Sequence, residues 1–224
     1  MSIMLVVLIV IAVVVYKKTS EKMQDQEQGQ QTEETGIEFP YLLDEGKVEV
    51  TSMFQYSGMN PDCNNEMQDN IVALSFTNTS SEYLKSIILK AVLKDETSVI
   101  FEAFDIPAGK SVMVFSKENI AWNTKNKCME LTAECEFETE VSTIENKIIV
   151  ETEETNVIIE NNSEEELNNL IVYCHCLLEE DYYGGLSYSY PIEKISVGEK
   201  ITIDASDCYM GEATVVRVEQ NKQN

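Results

Sequence analysis

The sequence predicts an all-β protein: two tandem antiparallel β-sandwiches held behind an N-terminal transmembrane helix. Three observations predict it. An uncharged apolar run opens the 224-residue chain. From Phe39 onward, short stretches rich in Val, Ile, Phe and Tyr are broken by Asn, Ser, Asp and Gly, which are strand signals at sandwich spacing. An internal repeat then marks a duplicated unit.

The opening reads MSIMLVVLIVIAVVVYKK, and its fourteen residues from Ile3 to Tyr16 include no charge, no Gly and no Pro. As a helix they rise ~21 Å, against a hydrocarbon layer of ~30 Å. Met1, Ser2 and snorkelling Lys17 and Lys18 extend the span by about a turn. No basic segment precedes the run and no small-x-small cleavage site follows Val15. It therefore reads as an uncleaved signal-anchor over residues 1–18 rather than a signal peptide. A few upstream Lys or Arg codons would supply both the missing length and the missing charge, so a start upstream of Met1 is expected. Residues 19–38, TSEKMQDQEQGQQTEETGIE, are rich in Gln, Glu and Thr. Such a segment cannot bury enough surface to offset its ordering entropy, and it reads as a flexible, exposed stalk.

The repeat sets FTNTSSEYLKSIILKAVL, beginning at Phe76, against IENNSEEELNNLIVYCHCL, beginning at Ile159, at an offset of 83. Asn78 then matches Asn161, Ser80 matches Ser163, Glu82 matches Glu165 and Leu84 matches Leu167. Downstream, IPAGKSVMV from Ile106 matches ISVGEKITI from Ile195 at an offset of 89, so the second copy carries six more residues between the two blocks. DYYGG lies in that insert. In each unit a first strand (VALSF, NVIIE) ends in an Asn/Ser turn whose side chains bond their own backbone. A second strand follows (SIILKAVLK, NLIVYCHCL), then a third (VIFEAF, LSYSYPI), a Gly turn, a fourth (SVMVF, KITID) and a last (LTAECEFE, ATVVRVE). The pattern is that of tandem immunoglobulin-like antiparallel sandwiches. They are expected at residues 39–140 and 141–219, with 220–224 as a tail.

The order of strand, Asn-Ser turn, long alternating strand and Gly-containing turn before a further strand resembles the FxLYD-type small sandwiches of bacterial surface proteins. It is also similar to uncharacterised membrane-anchored proteins of anaerobic Gram-positive bacteria. Where the FxLYD pattern has an aromatic-Asp-Gly turn, this chain has KDETS and EEDYYGG. The resemblance implies an extracytoplasmic location and carries over no catalytic residue.

YCHCLL holds the only histidine and two of six cysteines. Side chains alternate along a strand. Leu170, Val172, Cys174 and Cys176 then share the apolar face, as Ile87, Leu89, Ala91 and Leu93 do in the first copy. His175 points the other way and cannot join both sulfurs on one metal without a bulge. No metal or other cofactor site is read from the sequence. The thiols are either buried small hydrophobes or disulfide partners. The even count and an extracytoplasmic setting favour bridges, and candidates are Cys63 with Cys128 or Cys135, and Cys208 with Cys174 or Cys176.

In DYYGGLSYSYPI, Leu186, Tyr188, Tyr190 and Ile192 share the core-facing parity of an edge strand entered by a Gly-Gly hairpin. Tyr182 and Tyr183 lie in the inserted turn and are expected to be exposed, a possible binding surface. The turn-rich stretch SGMNPDCNNEMQDN, Ser57 to Asn70, is a second such surface, since long loops often carry function.

Forty acidic against sixteen basic residues give a formal charge of −24, which excludes nucleic acid as a partner because no basic face can neutralise phosphates. With one histidine, no Gly-rich phosphate loop, no nucleophile elbow and no Ser-x-x-Lys motif, catalysis finds no support. The acidic runs lack EF-hand spacing. A membrane-anchored extracytoplasmic binding or structural module is therefore expected, single-pass in the plasma membrane, with a protein or cell-wall partner. Lys17, Lys18 and Lys22, on the far side of the apolar run, favour the opposite topology by the positive-inside rule. The alternative is a cytoplasmic-facing regulatory or assembly subunit of a membrane complex.

Overall fold

The computed structural model of the chain describes residues 35–139, 144–208 and 211–221, which fold entirely as strands, turns and short 3-10 segments. The expected anchor over 1–18, and the stalk up to Glu34, lie outside the described residues. No helix among those described is long and apolar enough to cross a membrane.

The first half carries β1 (Tyr41–Leu43), β2 (Val48–Asn60), β3 (Glu66–Asn78), β4 (Tyr83–Leu93), β5 (Ser98–Ile106), β6 (Ser111–Phe115) and β7 (Cys128–Glu138). The second carries β8 (Ile148–Glu153), β9 (Asn156–Asn161), β10 (Leu167–Leu178), β11 (Asp181–Tyr183), β12 (Tyr188–Ile195), β13 (Lys200–Asp204) and β14 (Glu212–Gln220). β5-β4-β7 and β13-β9-β8 form three-stranded sheets. The other eight strands form one sheet that runs through both halves, in the order β1-β2-β3-β6-β11-β10-β12, with β14 also on β10. The fold class is thus all-β and layered.

Two apolar cores flank this shared sheet. One packs Leu84, Ile87, Leu89 and Ala91 of β4 against Val72, Leu74 and Phe76 of β3. The other packs Leu170, Val172, Cys174 and Cys176 of β10 with Val157 and Ile159 of β9. Ile71 and Ala73 have the opposite parity to Val72 and Leu74, and they enter the second core. β3 is therefore buried on both faces, which explains why IVALSF reads as a continuous apolar run rather than an alternation.

The repeat is reproduced bond for bond. Asn78 and Asn161 are both fully buried. Asn78 Nδ2 donates to the carbonyls of Glu82 (2.9 Å) and Ile106 (3.0 Å), and Asn161 Nδ2 to those of Glu165 (2.8 Å) and Ile195 (3.0 Å). Their Oδ1 atoms accept from Ser80 Oγ and Ser163 Oγ, each at 2.7 Å. Gly109 and Gly198, at φ +74° and +73°, donate to the backbone carbonyls of the same two asparagines. Lys47 pairs with Glu82 as Lys147 pairs with Glu165.

Two differences in length between matched points concern the long hairpin and the insert. Lys47 and Lys147 are 100 residues apart while Asn78 and Asn161 are 83 apart, so the β2–β3 hairpin of the first copy is longer by 17. The second copy has its six-residue insert after β10. The stalk ends earlier than expected: Ile37 N donates to Cys128 O at 2.7 Å, and Ile37 and Phe39 pack on the first core.

Candidate functional site

The insert and the long hairpin meet. Tyr182 and Tyr183, expected at the surface, are each 3% exposed. The reason is that the insert forms β11, which pairs with β10 on one side and in parallel with β6 on the other, Tyr182 opposite Val112 and Tyr183 opposite Met113. A strand in the middle of a sheet has no free face when each side is roofed by a core. Tyr182 enters the first core and stacks on His175, with centroids 4.7 Å apart and planes at 11°. Tyr183 enters the second core, where its hydroxyl and that of Tyr56 touch and both donate to the Met59 carbonyl, at 2.5 and 2.6 Å. These tyrosines are a seam, not a binding patch.

Gly184 and Gly185 do not turn the hairpin, as their sequence suggests; that turn lies at Glu179 and Glu180. They permit close approach. A Cβ on Gly184, at φ +93°, would lie 2.6 Å from Pro61 Cγ, and one on Gly185 would lie 1.9 Å from the Glu102 carbonyl oxygen. Ser57 to Asn70, the second expected binding surface, is mostly strand with a 3-10 tip over Pro61–Cys63. Its tip grips the insert: Asp62 accepts from the backbone amides of Gly185 (2.8 Å) and Leu186 (3.0 Å), and Tyr188 donates to Pro61 O at 3.2 Å. Burial raises the Asp62 pKa, and those two amides oppose the rise.

On the first-core side lies a buried polar cluster. Asp105 accepts from Tyr83 (3.0 Å) and Ser187 (2.5 Å) and pairs with Arg217 at 2.8 Å, with Asp105 5% and Arg217 6% exposed. Arg217 also reaches Glu138 and Glu219 and lies over the Tyr173 ring at 4.4 Å. His175 has the parity opposite to Cys174 and Cys176, as its spacing requires, but it does not meet solvent. The first half covers it, and its Nε2 donates to the Phe104 carbonyl at 2.7 Å. Nδ1 is therefore the bare nitrogen and has no partner. Burial holds the His175 pKa below its ordinary value despite that carbonyl and Asp105.

All six cysteines carry free thiols. Cys174, Cys176 and Cys208 lie together in the second core. A hydrogen bond with Cys208, then burial, lifts the Cys176 pKa well above the thiol range, and burial pushes Cys174 up to about 12. Cys63 lies against Asn119, while Cys128 donates to Glu130 O at 3.3 Å. Burial pushes Cys128 and Cys135 each up to about 11. Nucleophilic cysteines need the opposite shift. Among the described residues no three His, Cys, Asp or Glu side chains gather as metal ligands.

A further concavity lies elsewhere, at one end of the first half. It is an open cleft of about 490 Å3 between the β4–β5 turn, the β2–β3 hairpin and the segment joining β6 to β7. Trp122, the only tryptophan of the chain, lines it half-buried, among Asn70, Asp95, Asn123, Thr124 and Asn126. Its backbone is pinned at both ends: Trp122 N donates to Asn70 O at 2.7 Å and Asn70 Nδ2 to Trp122 O at 3.2 Å. Asn126 Nδ2 donates to Asp95 Oδ2 at 2.6 Å, and this bond and those from Thr97 hold the Asp95 carboxyl below the usual carboxylate range. The sequence reading passed over this site. Its available signal was the lone Trp within the Asn-rich run NIAWNTKNK. Set against known proteins, the chain matches no family model, and a search of curated proteins finds no match.

Proposed function

We propose that the chain is a membrane-anchored, extracytoplasmic binding or structural module whose two halves, read as tandem immunoglobulin-like sandwiches, act as one rigid body. The observation that carries this reading is the seam. Two of the places where the copies differ in length interlock, through β6–β11 pairing and the Asp62 grip on Gly185 and Leu186. Flexible tandem domains need no such device, because a linker suffices. A fixed double unit suits the display of one continuous surface. The apolar run Ile3–Tyr16 and the formal charge of −24 support an anchored, soluble-faced particle with a protein or cell-wall partner.

Thiol labelling of intact cells producing the full chain tests the topology. An impermeant maleimide, added after reduction and mild unfolding outside the cell, is expected to modify the cysteines. Protection until the membrane is opened would instead favour the cytoplasmic-facing regulatory or assembly subunit.

A further inference from the structure

We propose that the cleft beside Trp122 binds a neutral saccharide. The assignment rests on what the lining offers a ligand and does not depend on which side of the membrane the cleft faces. At about 490 Å3 the cleft falls within the range of small-molecule sites.

The chemistry follows from the unused hydrogen-bonding capacity. Asn70 spends an amide hydrogen on the Trp122 carbonyl and keeps its Oδ1. Asn126 gives a hydrogen to Asp95 and likewise keeps its oxygen. Asn123 accepts from Lys125 N at 3.0 Å and keeps both amide hydrogens. The Thr124 hydroxyl can do either. The lining thus offers acceptors and donors side by side. Such a mixture satisfies hydroxyl groups, each of which donates and accepts.

Other ligand classes fit less well. An anion wants donors only, and no Lys, Arg or His lines the cleft while the Asp95 carboxylate does. A cation wants acceptors and would leave the Asn123 hydrogens unmatched. A purely apolar ligand would strand several polar groups, each at a cost of about 1–3 kcal/mol. A sugar ring combines hydroxyl edges with a C–H face, and the part of the Trp122 indole that the first core leaves uncovered is an apolar platform for that face.

The duplication isolates the feature. Residues 116–127 join β6 to β7 in the first copy, while 205–211 join β13 to β14 in the second, which is shorter and has no tryptophan. The longer segment is held without flexing freely. Val72 N donates to Ile120 O at 2.8 Å, Lys94 N to Lys127 O at 2.9 Å and Asn126 N to Asn123 O at 2.9 Å. A fixed aromatic with fixed amides is a preorganised platform, which lowers the ordering cost of binding.

The sole tryptophan makes the test direct. Purified full-length protein in detergent is titrated with neutral oligosaccharides spanning glucose, mannose, xylose, galactose and N-acetylglucosamine trimers at up to millimolar concentration, with polygalacturonate as the anionic control. A saturable change in Trp122 emission with at least one neutral trimer is expected. Asn123→Ala combined with Thr124→Ala is expected to weaken that binding about tenfold, while the thermal midpoint falls only by what the exposed Lys125 N–Asn123 turn bond supplies, a few degrees at most for one such bond. Trp122→Phe, followed by calorimetry, should weaken it further and still fold. Silence towards every neutral trimer would overturn the assignment, as would preference for polygalacturonate or equal affinity in the Asn123/Thr124 variant.

Discussion

Gly185→Ala is the substitution that most directly probes the seam. The new methyl would sit 1.9 Å from the Glu102 carbonyl oxygen and 3.2 Å from Ala103 Cα, both backbone atoms of β5. Neither is the end of a flexible side chain, so the two segments must part by more than an ångström. Phe104 N donates to Gly185 O at 2.9 Å, and a shift of that size takes the bond out of range. A lost backbone bond is worth about 0.5–1.5 kcal/mol. The same shift pulls Gly185 N and Leu186 N from the Asp62 carboxylate, and a hydrogen bond to a charged group is worth about 1.5–3 kcal/mol. With one backbone bond and two bonds to the carboxylate lost, the expected loss is about 3.5–7.5 kcal/mol in urea unfolding followed by Trp122 emission. Gly109→Ala is the control: its φ is +74° but nothing lies within 4 Å of the added carbon, so it should cost only the left-handed penalty of about 1 kcal/mol. If Gly185→Ala cost no more than Gly109→Ala, the halves would not be locked as described, and the reasoning from the seam to rigidity would fall.

Three further outcomes are expected. Arg217→Met strands the buried Asp105 carboxylate and should cost about 3–5 kcal/mol, most of it recovered when Asp105→Asn is added; equal instability of the double variant in urea would refute the pairing. His175 is the only histidine and its pKa is lowered on folding, so below pH 6.5 the unfolded chain binds the extra proton. Stability should then be full above pH 6.5 and fall on acidification towards the folded pKa, by about 1.4 kcal/mol per pH unit; a His175→Gln variant with the same slope there would refute it. Refolding of the reduced, unfolded chain with oxidised glutathione, which becomes two thiols as the protein sulfurs join, should link Cys176 to Cys208 and raise unfolding stability by about 3–4 kcal/mol by closing that loop. Peptide mapping that returned Cys63 bonded to Cys128 or Cys135 instead would contradict the packing.

Much of the fold was legible because a strand writes its two faces into alternate letters. LKSIILKAVL and NNLIVYCHCL each place one parity in a core, and the structure keeps both assignments. The Asn-Ser turns were legible for a related reason: the hydrogen bonds are local, so the residues that make them are neighbours in sequence. What failed is everything decided between the halves. His175 has the predicted parity and the wrong exposure, because a second layer covers the face that one sandwich alone would leave to water. Tyr182 and Tyr183 followed the rule that inserted turns are exposed. Parallel addition of β11 to β6 reverses the outcome, and it depends on a strand some seventy residues away. A signal was present in the adjacent pair Gly184 and Gly185, whose missing side chains marked a close backbone approach rather than a hairpin.

The unequal lengths of the two copies carry the larger argument. A duplicated sandwich that simply repeats leaves two edges and two outer faces, and unpaired edges invite unwanted pairing. Here the first copy is lengthened in one hairpin and the second in one turn, and neither addition is stable on its own terms. The hairpin tip needs the insert's amides for the Asp62 carboxylate, and the insert needs β6 as a sheet neighbour. Each addition satisfies the backbone and side-chain groups that the other exposes, so removing one should loosen the other. The β6–β7 segment with Trp122 is a third departure from the repeat; Ile120 and Trp122 pack on the first core, and the segment borders the cleft. Extra length that interlocks the halves is accounted for by stability; extra length that instead frames an open cleft is where a ligand is to be sought.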